Sequence, residues 1–501
     1  MEISFENTSI GSFRQISHQI RRFQESMESV VPDVKDDIGH IASVHSSVLL
    51  KSKDVTGRGV FLTGELQTAL LYITEAGDLT AAIRMNKEFH LEFDIPELEE
   101  ERFAQVQLSV ANTEARVLNP RKVSVIAELV AELDCYAKDE TVIAALPSSA
   151  AETRLFIQEK AENEMFINSV CEKTFTVNEQ FIFPEGKPKV TELVWQQAQL
   201  RAEDCQQVGS RAVIKGSMEL QVCYLSEETD YPSLLSFHAP FSQILDTGSE
   251  NGENCTVTIQ QSSGYFDLID TISGEKALDV EIHGVLQLVS RGKEELRYVA
   301  DAYSGLMPSA CMMTERTLTE VSPMNTVMLT GREQISLGQD CKDILSVFPS
   351  ALPAAAEGEK LRVALWLDIL YRTETGELTA ARRSVTLETE APTGQLRILG
   401  GRLGDCDLRP DGTGLDCALC YELSYQSTRD RQILAVSGVS LDEENAYRVS
   451  ELPSLSLVRV DQESLWELAK AYHSSVAAIE ALNPTEGQLQ GKLLLIAREA
   501  I

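Results

Sequence analysis

The chain repeats one segment at the spacing of a whole domain, and this repeat constrains the fold more than any other feature. Residues Leu70 to Arg84 read LLYITEAGDLTAAIR, and residues Ile369 to Arg383 read ILYRTETGELTAARR, with ten identities in fifteen positions. A weaker copy, Val213 to Glu227, lies between them. The tyrosines of the three copies are 152 and 147 residues apart, so the sequence predicts three similar domains in tandem. All copies share tyrosine, any residue, serine or threonine, then glutamate, at Tyr72, Thr74, Glu75, Tyr224, Ser226, Glu227, Tyr371, Thr373 and Glu374.

The residues that lead to each tyrosine alternate between apolar and polar. In the second copy Met218, Leu220, Val222 and Tyr224 form an apolar row, which is the period of a half-buried strand. Glycine follows the motif in the first and third copies, at the place of a hairpin turn. We expect each tyrosine to pack at the end of a strand, with the Ser/Thr and Glu organising the turn; a contact surface is the alternative role.

Each copy is followed by a second pair of predicted strands. Turn signals separate the two strands, among them Asn119-Pro120 in the first copy. We therefore predict a mainly β protein made of three repeated antiparallel β-sandwich-like modules. The paired strands are predicted at Ala104 to Ala115 and Lys122 to Cys135, Thr256 to Leu268 and Ala277 to Ser290, and Gln395 to Asp405 and Gly414 to Tyr425.

The repeat sets the predicted domain boundaries. Residues 148–166 contain Ala, Glu and Leu at helical spacing and few β-branched residues, so the sequence predicts a linking helix there. The predicted units are 1–138 (first module with an N-terminal extension), 139–170 (linker), 171–303 (second module), 304–445 (third module) and 453–501 (a small terminal domain).

Charge and composition exclude some classes of function. The chain has 501 residues and a formal net charge of −33, which repels nucleic-acid phosphates, so no nucleic-acid partner is expected. It shows no apolar run long enough to span a membrane, and no basic n-region or apolar core of a signal peptide near its first residue. Ten mostly isolated cysteines are typical of a reducing compartment. These features predict a cytoplasmic protein.

The last 45 or so residues read as two short strands around two short helices. Ser464 and Glu467 have the spacing of a capping box, which predicts the start of the first helix. The second helix is predicted to end before Asn483-Pro484, because proline disfavours helical geometry in the preceding residue.

This β-α-α-β unit resembles a LysM domain in its Ser-Leu-Trp at 464–466, Leu-Ala-Lys at 468–470, Tyr472 and Asn483-Pro484. LysM domains commonly bind N-acetylglucosamine polymers in a shallow groove. The resemblance implies a groove for a partner or glycan lined by Asp461, Gln462, Glu463, Ser464, Trp466, Asn483, Pro484 and Thr485. The chain departs from the family pattern at 461–463, where Asp-Gln-Glu replaces Pro-Gly-Asp and removes a glycine.

Three β modules followed by a LysM-like unit resemble the SPOCS-domain proteins of endospore-forming Firmicutes. The resemblance implies a non-enzymatic scaffold in the mother-cell cytoplasm that assembles at the forespore surface and binds spore coat proteins. It also implies that the LysM-like unit holds the coat ATPase, stage IV sporulation protein A. The alternative is a cell-wall or cortex protein that binds peptidoglycan through the same groove.

Enzymatic motifs are missing from the sequence. None of the seven histidines has a metal-binding spacing, and His40 and His45 are interpreted as polar surface residues. The single C-x-x-C, Cys417 and Cys420, lies in a predicted strand without a second pair. No nucleotide-binding glycine loop or nucleophile elbow occurs. We therefore predict no catalytic residues, no metal and no cofactor.

Overall fold

The computed structural model describes most of the chain. The described residues are 2–5, 7–77, 80–96, 101–144, 155–272, 274–337, 340–392, 395–404, 406–411, 414–448, 453–483 and 490–498. Within them nearly all regular structure is antiparallel strand, as the alternating sequence pattern predicts. The fold is therefore mainly β, which confirms the predicted class.

The first two sandwiches have the same strand order. In each, the long first strand pairs with the sixth strand, which also pairs with the fifth. The second, third and fourth strands form the second sheet. The first sandwich contains β2 (Asn7–Val30), β3 (Ile38–Val55), β4 (Gly59–Thr74), β5 (Thr80–Asp94), β6 (Arg102–Asn119) and β7 (Lys122–Ala144). The second contains β8 (Leu155–Ile182), β9 (Glu192–Val208), β10 (Arg211–Ser226), β11 (Thr229–Asp246), β12 (Asn254–Asp270) and β13 (Lys276–Ser304).

The third sandwich repeats this order with an interrupted first strand. Two shorter strands, separated at Pro323, pair in succession with the long last strand, where the other sandwiches have one long strand. Proline cannot donate to a ladder, which accounts for the break. The unit contains β14 (Ser309–Val321), β15 (Asn325–Ser336), β16 (Cys341–Ala351), β17 (Ala355–Glu357), β18 (Lys360–Thr373), β19 (Leu378–Glu390), β20 (Gln395–Leu403), β21 (Asp407–Asp411) and β22 (Gly414–Leu441).

Each sandwich has its own apolar core, built from the inward-facing residues of both sheets. In β18 the residues Leu361, Val363, Leu365, Leu367 and Ile369 are all buried, one from every second position. Removing apolar surface from water contributes about 25 cal/mol per Å², so these rows stabilise the sandwich and set the register of its strands.

Long strand pairs extend beyond the sandwiches and meet one another. The first half of β8 pairs with the second half of β13, and β22 pairs with β14 beyond the third core. Leu155, Val299 and Val436, one from each of β8, β13 and β22, share an apolar cluster with Ile3 and Phe5. The short strand β1 (Glu2–Ser4) pairs with β22, so the beginning of the chain joins the sheet of the third sandwich.

The helix predicted for residues 148–166 is wrong wherever the structure describes it. Residues 155–166 form the first part of β8, and residues 145–154 lie outside the described part of the chain. Ala, Glu and Leu favour a helix by less than about 1 kcal/mol per residue, which the ladder to β13 and the burial of Leu155 and Phe166 outweigh.

The terminal unit has the predicted β-α-α-β order. Its elements are β23 (Leu455–Arg459), α1 (Leu465–Ala471), α2 (Val476–Leu482) and β24 (Leu493–Ala497). Ser464 caps α1 in a complete capping box with Glu467, as predicted. No helix in the described part of the chain has the length and apolar character needed to cross a bilayer.

Candidate functional site

The three repeated tyrosines occupy one topological position. Tyr72, Tyr224 and Tyr371 lie near the ends of β4, β10 and β18, and all three are buried. β4 and β10 are the central strands of three-stranded sheets, and β18 is the central strand of a four-stranded one. Each hydroxyl donates to a backbone carbonyl just before the preceding strand: Tyr72 to Asp36 at 3.0 Å, Tyr224 to Pro188 at 3.1 Å, and Tyr371 to Leu337 at 3.4 Å. Burial raises the pKa of all three, so they stay neutral donors.

The serine or threonine of each motif lies on the tyrosine side of the strand, and the glutamate lies on the surface. Ser226 accepts from the N–H of Glu228 at 3.1 Å, and Thr373 accepts from the N–H of Glu377 at 3.1 Å. Thr74 is buried and its hydroxyl has no partner among the described atoms. The turn-organising role predicted for the serine or threonine thus fits two of the three copies, and no turn bond from the glutamate side chains is seen among the described residues.

The residue before each tyrosine points the other way, toward a joint between the sandwiches. Leu71, Cys223 and Leu370 lie in a single apolar cluster to which all three sandwiches contribute. Successive side chains of a strand alternate between its faces, so one strand supplies both the tyrosine of its own core and the contact with its neighbours. The repeated segment therefore contributes the tyrosine to the core of its own sandwich and the preceding residue to the apolar contact between sandwiches.

His45 lies at this joint rather than on the surface. Its ring stacks on Trp195 of the second sandwich with 4.2 Å between centroids and meets Phe348 of the third edge-on at 5.6 Å. Burial lowers the pKa of His45 to about 4, so the ring is neutral at pH 7. The surface interpretation was wrong because residues from other sandwiches cover the ring. His40, five positions earlier, is exposed as predicted.

A cavity of about 1090 Å³ opens beside the joint and is lined by all three sandwiches. Its walls are formed by edge strands of the sheets. Glutamine side chains accept hydrogen bonds from some backbone N–H groups of these edge strands. Gln287 accepts from the N–H of Val106 at 2.8 Å, and Gln260 accepts from the N–H of Leu108 at 2.9 Å. In the third sandwich Arg382 donates to the carbonyl of Ala111 at 2.7 Å. These bonds link sandwiches to one another across the cavity rim.

The terminal unit is fastened to the second sandwich by Asp301. A break in the β8–β13 register between Val299 and Asp301 turns this carboxylate toward the terminal unit. It accepts from the Trp466 indole at 2.8 Å and from Lys470 at 2.7 Å. Burial opposes ionisation of Asp301, but the bonds from Lys470 and Trp466 outweigh it and lower its pKa. The carboxylate is thus charged at neutral pH.

Tyr303 completes this attachment. Its hydroxyl donates to the carbonyl of Ser474 at 2.6 Å, and its ring meets Trp466 edge-on with 5.0 Å between centroids. Trp466 therefore faces the second sandwich. Neither Asp301 nor Tyr303 has a local sequence signal, because their partners are more than 160 positions away.

The predicted groove residues fall into two groups, an exposed loop at 461–464 and side chains that are covered by other parts of the protein. Asp461, Gln462, Glu463 and Ser464 are all exposed. The Glu463 carboxylate accepts from the N–H groups of Asp461 at 3.0 Å and Gln462 at 3.2 Å. Its own backbone N–H, together with these two, lowers its pKa. Glu463 thereby fixes the loop, and Ser464 is occupied in capping α1. The side chains of Asp461 and Gln462 remain for a partner.

Asn483 does not belong to an open groove. It is buried; its amide donates to the carbonyls of Ile479 and Leu495, and its oxygen accepts from the N–H of Leu495 at 2.8 Å. The side chain closes the end of α2 onto β24 and has no polar group to spare for a ligand. Pro484 and Thr485 lie outside the described residues.

Comparison with known proteins adds no relative. No protein-family model, curated protein or solved structure matches the chain.

Proposed function

We propose that the chain is a non-enzymatic scaffold of the spore coat, similar in organisation to SPOCS-domain proteins such as the clostridial coat morphogenetic protein SipL. Its three sandwiches supply a rigid body for contacts with other coat proteins. Its terminal unit acts as a LysM-type domain that docks a protein partner, the coat ATPase. The proposed setting is the mother-cell cytoplasm, at the forespore surface.

The observation that carries this proposal is the one-sided attachment of the terminal unit. Trp466 and Lys470 face Asp301 on the second sandwich, while the loop that begins at Asp461 is exposed. A small unit held in a fixed orientation presents its loop to a partner with little loss of conformational entropy on binding. The repeated tyrosine motif supports the same view, because its hydroxyls bond within their own sandwiches.

The loop chemistry favours a protein over a glycan. Asp461, Gln462 and Glu463 place two carboxylates and an amide together, and the carboxylate of Glu463 is already engaged by the loop backbone. An exposed acidic loop suits a basic or hydrogen-bonding protein surface. Among the described residues, His473 is the one residue other than glycine with a positive φ. Residues 461–463 therefore do not adopt the left-handed conformation that a glycine in this loop permits.

A binding experiment tests the proposal. Purified full-length chain is mixed separately with the coat ATPase and with purified peptidoglycan, and co-sedimentation is measured. We expect capture by the ATPase and its weakening by about tenfold in the double variant Asp461→Ala, Gln462→Ala, since a charged hydrogen bond contributes about 1.5–3 kcal/mol. Glu463 is left intact because its loss would disturb the loop itself.

The matched control is Glu480→Ala, which removes an exposed carboxylate from α2 away from the loop. It is expected to leave capture unchanged. Co-sedimentation with peptidoglycan and not with the ATPase would replace this proposal with the glycan-binding alternative. Unchanged ATPase capture by the loop variant would remove the loop from the interface.

A further inference from the structure

Three potential metal ligands meet on one face of the first sandwich. They are His18 of β2 and Glu132 and Asp134 of β7, and each offers one ligand atom that lies within 4.8 Å of the other two. The ladder sets this arrangement: His18 pairs directly with Asp134, and Glu132 lies two positions along the same strand and so on the same face. Two rigid paired strands therefore hold all three groups.

The distance between His18 and Asp134 matches that of two ligands that share an ion. His18 Nδ1 and Asp134 Oδ1 are 3.0 Å apart. Two ligand atoms at the usual 2.0–2.2 Å from one ion lie about 3–3.5 Å apart. The distance between these two atoms is therefore the same whether they share an ion or form a direct hydrogen bond. The third ligand, Glu132, distinguishes them, because a hydrogen bond between His18 and Asp134 gives no reason for a second carboxylate to converge there.

His18 is the one group within ion-pair distance of this carboxylate pair that can carry a positive charge, among the described ion pairs. Asp134 is approached by His18 and by the amide of Gln15, and among the described ion pairs none includes Glu132. The nearby guanidinium of Arg397 donates to the Tyr136 hydroxyl at 2.6 Å. Two half-buried carboxylates side by side repel each other, and a divalent cation would offset both charges.

We propose that His18, Glu132 and Asp134 bind a divalent transition-metal ion. One imidazole nitrogen and two carboxylate oxygens without thiolate suit Zn²⁺, Mn²⁺ or Fe²⁺ better than Mg²⁺ or Ca²⁺, which prefer oxygen ligands alone. The His18 side chain is 45% exposed, so water can complete the coordination and an ion can reach the site. The ion would tie β2 to β7, its paired neighbour in the same sheet. This site is independent of the proposed partner-binding loop.

The test is metal binding by the purified, chelator-treated full-length chain. Mn²⁺ is the first probe because thiolates bind it weakly, which keeps the ten cysteines from contributing. Loss of the free Mn²⁺ electron paramagnetic resonance signal reports binding, and thermal unfolding with and without Mn²⁺ or Zn²⁺ reports linkage to folding. We expect one ion per chain and a rise in the unfolding temperature.

Two variants locate the ion. His18→Ala and Glu132→Gln should each weaken binding at least tenfold and abolish the rise in unfolding temperature. His283→Ala is the matched control: His283 lies 2.8 Å from Glu281 on β13, a histidine with one carboxylate and no third ligand in the described set, and its loss should change neither measurement.

The wild-type chain alone can refute the proposal, even if a variant fails to fold. Failure of both Mn²⁺ and Zn²⁺ to bind would overturn it. Equal binding by wild type, His18→Ala and Glu132→Gln, with their circular dichroism spectra unchanged, would overturn it as well by placing the ion elsewhere.

Discussion

The body of three sandwiches and the terminal unit are held together by different kinds of contact. The body uses buried side chains in large numbers: each sandwich has its own core, and Leu71, Cys223 and Leu370 join the sandwiches through a shared apolar cluster. The terminal unit is attached by the charged contacts of Asp301 and by Tyr303 and Phe156, which pack against its small apolar core. The body is therefore expected to resist conditions that weaken ion pairs, and the attachment of the terminal unit to respond to them.

The largest effect should come from the centre of a sandwich. Tyr224→Ala removes a ring that is fully buried and is expected to lower the free energy of unfolding by about 3–5 kcal/mol, because the lost burial is joined by a cavity. Urea unfolding followed by circular dichroism measures it. A loss below about 1 kcal/mol would mean that the repeated tyrosine is not a core residue.

The joint between sandwiches should be sensitive to acid through His45. Its pKa is about 4 in the folded chain and 6.5 when exposed, so the neutral ring is favoured on folding. This contribution is fully present above pH 6.5, falls as the pH drops from 6.5 to 4, and is absent below that. We expect a loss of roughly 2 kcal/mol between pH 7 and pH 4, less than the full shift implies because the ring is not wholly shielded.

His45→Gln provides the comparison for that measurement. The variant keeps a polar side chain that does not titrate, so its unfolding free energy should change less with pH than that of the wild type over the same interval. Identical pH profiles for the two proteins would show that His45 does not report on the joint.

A single substitution should weaken the attachment of the terminal unit to the second sandwich. Asp301→Asn removes the charge that Lys470 and the Trp466 indole approach, and is expected to cost about 1–2 kcal/mol, limited because Lys470 is partly exposed. Faster proteolysis between the third sandwich and the terminal unit, with unchanged unfolding of the body, would be the result. Because the bonds from Lys470 and Trp466 lower the pKa of Asp301, the wild-type contact should persist to a lower pH than an ordinary aspartate would allow.

The smallest effects should distinguish the three sandwiches from one another. Tyr72→Phe and Tyr224→Phe each remove one hydroxyl bond and should cost about 1 kcal/mol. Tyr371→Phe should cost less, since its oxygen-to-oxygen distance is the longest at 3.4 Å. A uniform cost in the same urea titration would mean that the third bond is as strong as the others.

Alternation and turn chemistry were enough to predict the strands that end at the repeated tyrosines, the hairpins that follow two of them, and the second strand pair of each module. The row that ends at Tyr224 and the turn glycines Gly77 and Gly376, which have φ of +83° and +87°, are local features that a strand or turn imposes on its own sequence. The capping box at Ser464 is local in the same way. These parts of the prediction were confirmed; the domain boundaries and the identity of the modules stay predictions.

Contacts between residues far apart in the chain could not be predicted from the sequence. His45 and Trp195, Asp301 and Trp466, and His18 and Asp134 come from strands or helices far apart in the chain, and no periodicity relates them. The predicted helix at 148–166 failed for a related reason: local propensity there is weak and the long pairing with β13 outweighs it. Local sequence patterns predict the strands and helices but not the long-range contacts between them.

The pairing of β1 with β22 has a consequence for synthesis. Glu2 lies opposite Ser440, so the first strand leaves the ribosome long before its partner exists. Until then Ile3 and Phe5, both buried in the finished molecule, have no place to pack and must be kept from other surfaces. Pairing of β1 therefore has to wait until β22 has been synthesised, so this contact between distant strands forms late in the folding of the chain.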